Sequence, residues 1–149
     1  MKSNSARLLT MVLAAGLMTV EARGEIPKQS REELSESASH ALVGKVVRTY
    51  ERQERDQHDF EYTYGVAEIS VDSVGKGSEI ASSDRVFVRY WRKKWIGTGD
   101  PPPDHYGHWS IPNATDTVVA YVKGDRKTGF EVLSPNGFFE VTQAPRNSH

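Results

Sequence analysis

After residue 40 the chain alternates apolar and polar residues with a period of two, the pattern of strands that bury one face. Leu42, Val43, Val46 and Val47 surround Gly44 and the run closes at Tyr50, which predicts a strand with a bulge or sharp bend at Gly44. Residues 51–59 are nearly all charged or polar and read as an exposed loop. A long strand or bent pair is predicted over about 60–74, with Tyr62, Tyr64 and Val66 on one face and Ala67, Ile69 and Val71 on the other. The passage from one set to the other suggests a second bulge near Gly65.

Gly75, Lys76 and Gly77 form a turn, and residues 85–91 then set Val86, Val88 and Tyr90 against Phe87, Arg89 and Trp91. Residues 92–116 are irregular, rich in Gly and Pro, and also hold Trp95, Tyr106 and Trp109. A loop of that length in a compact domain is often functional. Residues 117–123 and 129–133 pair as a hairpin around Gly124 and Asp125. After a turn at Pro135, Asn136 and Gly137, residues 138–141 close the domain, and 143–149 read as a flexible tail.

Ahead of the strands the period changes. Ser30 has the spacing of an N-cap, with Glu33 as its capping-box partner. A helix over about 31–41 would place Leu34, Ala38 and Ala41 or Leu42 on one side. At the front, Lys2 and Arg7 precede an apolar stretch over 8–20 broken only by Thr10, Gly16 and Thr19. That is the build of an export signal, shorter than the roughly 20 apolar residues of a spanning helix. Cleavage is expected after Ala22 or Gly24, and with no cysteine following, lipid anchoring through cysteine is not expected. The expected organisation is a signal peptide at 1–24, a lead-in and helix start at 25–37, a β-domain at 38–142 and the tail at 143–149. Location is thus expected to be secreted or periplasmic, with no membrane span after the signal is removed.

The predicted class is all-β: a small, partly closed, five- to six-stranded OB-like barrel with one short N-terminal helix. A barrel manages exposed strand edges best. An immunoglobulin-type sandwich is the alternative, without its usual seven strands and Cys…Trp…Cys spacing here. Several segments stand in order: residues 41–46 (ALVGKV), 66–71 (VAEISV) with 74–77 (VGKG), 116–122 (DTVVAYV), and 130–133 (FEVL) before 135–137 (PNG). Over residues 38–142 this resembles the tissue-inhibitor-of-metalloprotease-like, or netrin-like, domains of exported bacterial proteins. The resemblance implies an OB-like five-stranded barrel with a flanking helix. The eukaryotic inhibitors of that family chelate a protease zinc through an N-terminal cysteine; this chain has no cysteine, so that mechanism does not carry over.

Charge narrows the partners. Losing Lys2, Arg7, Arg23 and Glu21 with the signal takes the chain from 19 basic and 20 acidic residues to 16 and 19, a net charge of −3. A basic overall surface for nucleic acid is absent, and none is expected as a partner. Export would permit disulfides, yet there are none to form. The most distinctive stretch is Tyr90, Trp91, Arg92, Lys93, Lys94, Trp95, which with Tyr106 and Trp109 makes a candidate binding surface for a protein or an anionic polymer. The competing reading is that Trp91 and Trp95 pin the long loop to the barrel while the cations stay solvated.

His105 and His108, three residues apart, suit zinc or copper if His58, Asp100 or Asp104 supplies a third ligand. The competing reading is an exposed polar loop. His40 is expected near the helix end, facing its last carbonyls. Ser70, Ser110 and Ser134 lack a nucleophile-elbow setting, and no spacing singles out a pair among Glu61, Glu68, Asp72 and Asp84. The expectation is therefore an exported, non-enzymatic interaction module without a cofactor, working through the loop at 91–109. The alternatives are a metal-binding protein using His105 and His108, or a structural domain without a ligand.

Overall fold

A computed structural model describes residues 27–102 and 107–141. The expected signal at 1–24, the tail at 143–149, and Asp104, His105 and Tyr106 lie outside the described residues. Ser30 opens helix α1 (Arg31–Ser37): its Oγ accepts the Glu33 N–H at 3.2 Å and its own N–H donates to the Glu33 carboxylate at 2.7 Å. This reciprocal box satisfies two donors that the first turn leaves unpaired. Leu34 is fully buried beneath the helix. The helix stops at Ser37, short of the expected 41, because the strand alternation already begins at His40. The Lys76 ammonium closes the end, donating to the Ser35 carbonyl at 2.6 Å and the Glu36 carbonyl at 3.2 Å. His40 therefore does not serve the helix end; its ring packs edge-on against Phe130 at 5.3 Å.

Six strands follow: β1 (His40–Arg55), β2 (Phe60–Lys76), β3 (Arg85–Trp95), β4 (Thr117–Asp125), β5 (Gly129–Val132) and β6 (Phe138–Glu140). They form one sheet in the order β1-β2-β3-β5-β4-β6, which closes because β1 also pairs with β4. The result is a five-stranded closed barrel with β6 added on β4, an OB-like order rather than two packed sheets. Every pairing is antiparallel except β3–β5, which meets at Val88 and Arg89. The inward residues Leu42, Val46, Ile69, Val71, Val88, Val118, Val122 and Val132 fill the barrel with aliphatic chains.

Closure uses only part of the long strands. β1 pairs with β4 from His40 to Lys45, whereas it pairs with β2 as far as Arg55. Beyond Val46 β1 no longer pairs with β4, and past the β3–β5 pairing at Arg89 the strands β1, β2 and β3 continue as a three-stranded ribbon projecting from the barrel. This corrects three expectations. Residues 51–55 belong to β1 and not to a loop; the turn is only 56–59, where the Asp56 carboxylate accepts the N–H groups of His58 at 2.8 Å and Phe60 at 3.0 Å. Charged side chains are tolerated there because cross-strand pairing, including an Arg55–Glu61 ion pair at 3.5 Å, replaces a core. β3 runs on to Trp95, so the irregular segment begins at 96.

The third correction concerns bulges. Irregular register occurs near Gly44, as expected, but the pairing through Gly65 is regular on both sides. A simple period of two already places Tyr62, Tyr64 and Val66 outward and Ala67, Ile69 and Val71 inward. Gly65 is small for another reason: a Cβ there would overlap the Tyr90 ring.

Candidate functional site

The outer face of the ribbon collects side chains that the barrel interior cannot use. Register sets them in rows across β1, β2 and β3: Arg48–Glu68–Phe87, Tyr50–Val66–Arg89, Arg52–Tyr64–Trp91, and Glu54–Tyr62–Lys93, with Phe60–Trp95 at the tip. Rows lie about 7 Å apart along the strands and neighbours about 5 Å apart across them. Tyr50 is 46 % exposed and Tyr64 41 %, large rings left open to solvent. The groove between Tyr50, Arg52, Tyr64, Val66, Arg89 and Trp91 encloses about 530 Å³.

Three cations on this face are seated on rings. The Arg52 guanidinium lies 5.7 Å above Tyr64, Arg48 lies 5.8 Å above Tyr50, and the Lys93 ammonium sits 3.7 Å from the Phe60 ring centre. Tyr62 and Tyr64 lie nearly parallel, 7° apart with centroids at 6.1 Å. Each such contact stabilises by about 0.5–1 kcal/mol at an exposed site. Its larger effect is to hold a long flexible cation in one place, so less entropy is lost when an anion arrives. Acidic partners are fewer. Glu54 pairs with Arg52 at 3.0 Å, while the buried Glu68 carboxylate is bonded by Arg85 at 2.6 Å and by the Tyr50 hydroxyl at 3.1 Å. Arg89 is exposed, next to Glu131 of β5.

Strand alternation divides the candidate stretch at 90–95 between two faces. Trp91, Lys93 and Trp95 point outward, and Tyr90, Arg92 and Lys94 take the opposite side. Tyr90 is a core residue: buried, edge-on to Phe138 at 6.1 Å, its hydroxyl donating to Glu51 at 2.7 Å. Burial first, then the Glu51 carboxylate, push this phenol well above its usual range, so it remains a donor. Trp95 packs edge-on against Phe60 at 5.1 Å and Trp91 against His108 at 6.5 Å, both half-buried. Trp91 thus touches the long segment, through His108, whereas the ring contact of Trp95 is with the neighbouring strand β2. Trp109 is different, 50 % exposed; among the described residues its one hydrogen bond runs from its backbone N–H to the Pro135 carbonyl. The sequence reading missed Tyr50, Arg52, Tyr64 and Arg89. The signal is the alternation Arg48, Tyr50, Arg52, which runs from the end of the predicted strand across its boundary at Tyr50 into the stretch read as a loop.

The structure gives His108 a packing role. The ring is 1 % exposed, wedged where Gly107 and His108 run beside β3. Nε2 lies 3.1 Å from the Val132 carbonyl, and Nδ1 lies 3.1 Å from the Trp91 N–H and 2.8 Å from the Trp91 carbonyl. Both ring nitrogens are therefore turned to main-chain groups rather than to a shared ligand position. His58 sits in the β1–β2 turn, 3.8 Å from Asp56. Among the described residues, no group of three or more His, Asp or Glu is placed to hold a metal ion. Nor is any described helix long and apolar enough to cross a membrane.

No family model, curated relative or solved structure matches the chain. The likeness over 38–142 therefore stands as a generic OB-like fold, carried by the strand order itself.

Proposed function

We propose that the chain is an exported, non-catalytic binding module that holds an acidic polysaccharide across the outer face of β1, β2 and β3. One observation carries this reading: two guanidinium groups, of Arg48 and Arg52, seated on the solvent-facing rings of Tyr50 and Tyr64, on a stretch of β1 that runs beyond its pairing with β4. With Arg48 and Arg52 lying over the rings of Tyr50 and Tyr64, those rings act as platforms for charge more than as stacking sites for bases. Guanidinium groups held this way suit bidentate contacts to carboxylates. The net charge expected after signal removal, −3, disfavours polyanions over the surface at large, so an acidic polymer would be held only where the cations of this face gather. The strip at 107–108 runs along the edge of β3 at Trp91 and Arg92, so the loop contributes an edge and the strands supply the platform.

The test is a fluorescence titration of the purified chain with polygalacturonate, neutral dextran and a single-stranded DNA oligonucleotide. Binding to polygalacturonate should weaken as salt rises, because screening acts on exposed charges. The double variant Arg52→Ala, Arg89→Ala should bind at least about tenfold more weakly, the loss of two charge-assisted contacts. Dextran bound equally well, or an unchanged double variant, would sink the proposal. Tighter binding to DNA would transfer the face to a nucleic acid.

A further inference from the structure

Behind the ribbon, on the face opposite the aromatic rows, lies a second recess. It occupies about 460 Å³ between β1, β2, β3 and the segment 109–113, and its lining includes Glu51, Thr63, Arg92, Trp109, Ser110 and Asn113. That size falls within the range of small-molecule sites. The geometry points to a binding site here for a single sugar acid, a ring bearing one carboxylate and several hydroxyls. The site stands independently of the outer face and of the polymer reading.

Arg92 carries the argument. It is half-buried, and while its backbone pairs with Thr63 and bridges to Gly107, its guanidinium makes no ion pair or hydrogen bond to a described residue. A partly desolvated guanidinium without an anion is unfavourable, and a ligand carboxylate would relieve it. Thr63 beside it is buried, and its hydroxyl likewise makes no hydrogen bond to a described residue. The anion in the lining, Glu51, makes no ion pair with Arg92. Register puts Gln53–Thr63–Arg92 in one row and Glu51–Gly65–Tyr90 in the next, so Glu51 and Arg92 occupy opposite corners. At sheet spacings their backbones are about 12 Å apart. Glu51 is instead fixed by the Tyr90 hydroxyl through Oε1, which leaves Oε2 to accept from a ligand hydroxyl. Gly65 between them adds no side chain, because the Tyr90 ring covers its inner side. The ends of the recess thus differ in sign: one suits a carboxylate, the other hydroxyl donors. Trp109, half exposed at the boundary, offers an apolar wall to the C–H face of a sugar ring.

The experiment is an amide-resolved NMR titration of the intact chain with D-glucuronate, and with D-glucose and sulfate as controls. Glucuronate should produce saturable shifts at Thr63, Arg92 and Ser110, with a dissociation constant on the order of 1 mM, the affinity a ligand of this size reaches. Arg92→Gln should weaken it at least about tenfold, from the loss of a charged contact. Arg92→Lys, which retains charge, should give an intermediate value, and unchanged shifts elsewhere in each variant report an intact fold. Arg89→Ala, on the outer face, should leave glucuronate binding as it is, which separates this site from the polymer face. Absence of saturable shifts overturns the inference. So do equal responses to glucose, where no carboxylate is read, and equal responses to sulfate, where Arg92 is only a general anion contact. Unchanged affinity in Arg92→Gln overturns it as well.

Discussion

The closed end of the barrel and the ribbon that projects from it share three strands but are held together differently. At the closed end β1 has neighbours on both edges, and Leu42, Val46, Ile69 and Val88 are almost wholly removed from water. In the ribbon β1 has β2 alone, and stability comes from ladder hydrogen bonds, cross-strand ion pairs and cations on rings. Burial of an aliphatic side chain is worth about 1.5–3 kcal/mol, whereas an exposed ion pair is worth about 0–1 kcal/mol. The closed end therefore sets the stability of the molecule. The ribbon, relieved of that task, is free to vary its side chains for contact with other molecules.

Substitutions at the two ends should separate these roles. Ile69→Ala, in the closed end, should lower the unfolding free energy by about 2–5 kcal/mol in a denaturant melt. A loss below about 1 kcal/mol would mean the core is not the dominant element. Gly65→Val, at the base of the ribbon, should cost about 1–3 kcal/mol by forcing the Tyr90 ring aside. The same melt would show it, together with a change in the tyrosine environment. Tyr64→Ala, in the ribbon proper, should shift stability by no more than about 0.5 kcal/mol. It should nevertheless weaken polygalacturonate binding several-fold, because Arg52 loses the ring that holds it. Destabilisation as large as in Ile69→Ala would erase the distinction between the two regions.

The smallest effect concerns pH. Asp56, in the turn at the ribbon tip, is held below its ordinary 3.8, first by the Phe60 N–H and then by His58. Asp125, in the β4–β5 turn, is lowered chiefly by the Thr128 N–H and hydroxyl. Between the folded and unfolded values the unfolded chain binds more protons, so this contribution is complete above the unfolded value and is lost as pH falls through the folded one. Acid titration downward from about pH 5, followed by amide NMR, should show both turns loosening before the barrel strands. Asp56→Asn should remove the pH response at the ribbon tip alone.

Much of this division could be read from residue order. Period-two alternation identified every strand, and the faces of 86–91 match the observed burial. The capping box at Ser30 and Glu33 also forms as its spacing suggests. Where the reading failed, hydrophobicity was the wrong guide. Residues 51–55 are Glu, Arg, Gln, Glu and Arg, a composition of loops, and they are a strand because β2 offers a ladder to them. The same substitution of pairing for burial hid Arg52 and separated it from Tyr64, a neighbour across the sheet. His108 misled in the opposite sense: its polar, glycine-flanked surroundings suggested exposure, and only the bridge from Gly107 to Arg92 brings it inside.

Val47 is the residue that makes one strand serve both ends. Before it, even-numbered side chains of β1, Leu42 and Val46, point inward; the register skips Val47, and from Arg48 onward the even-numbered chains point out. Val46 and Arg48 face consecutive residues of β2, Ile69 and Glu68, so Val47 is an extra residue that the ladder absorbs as a bulge. Deleting Val47 would therefore leave Arg48, Tyr50, Arg52 and Glu54 on the solvent face, still opposite Glu68, Val66, Tyr64 and Tyr62. What the extra residue supplies is a bend, placed just past Lys45, where β4 stops pairing with β1. Its removal would straighten β1 and test whether the strand can close the barrel and leave it without that bend.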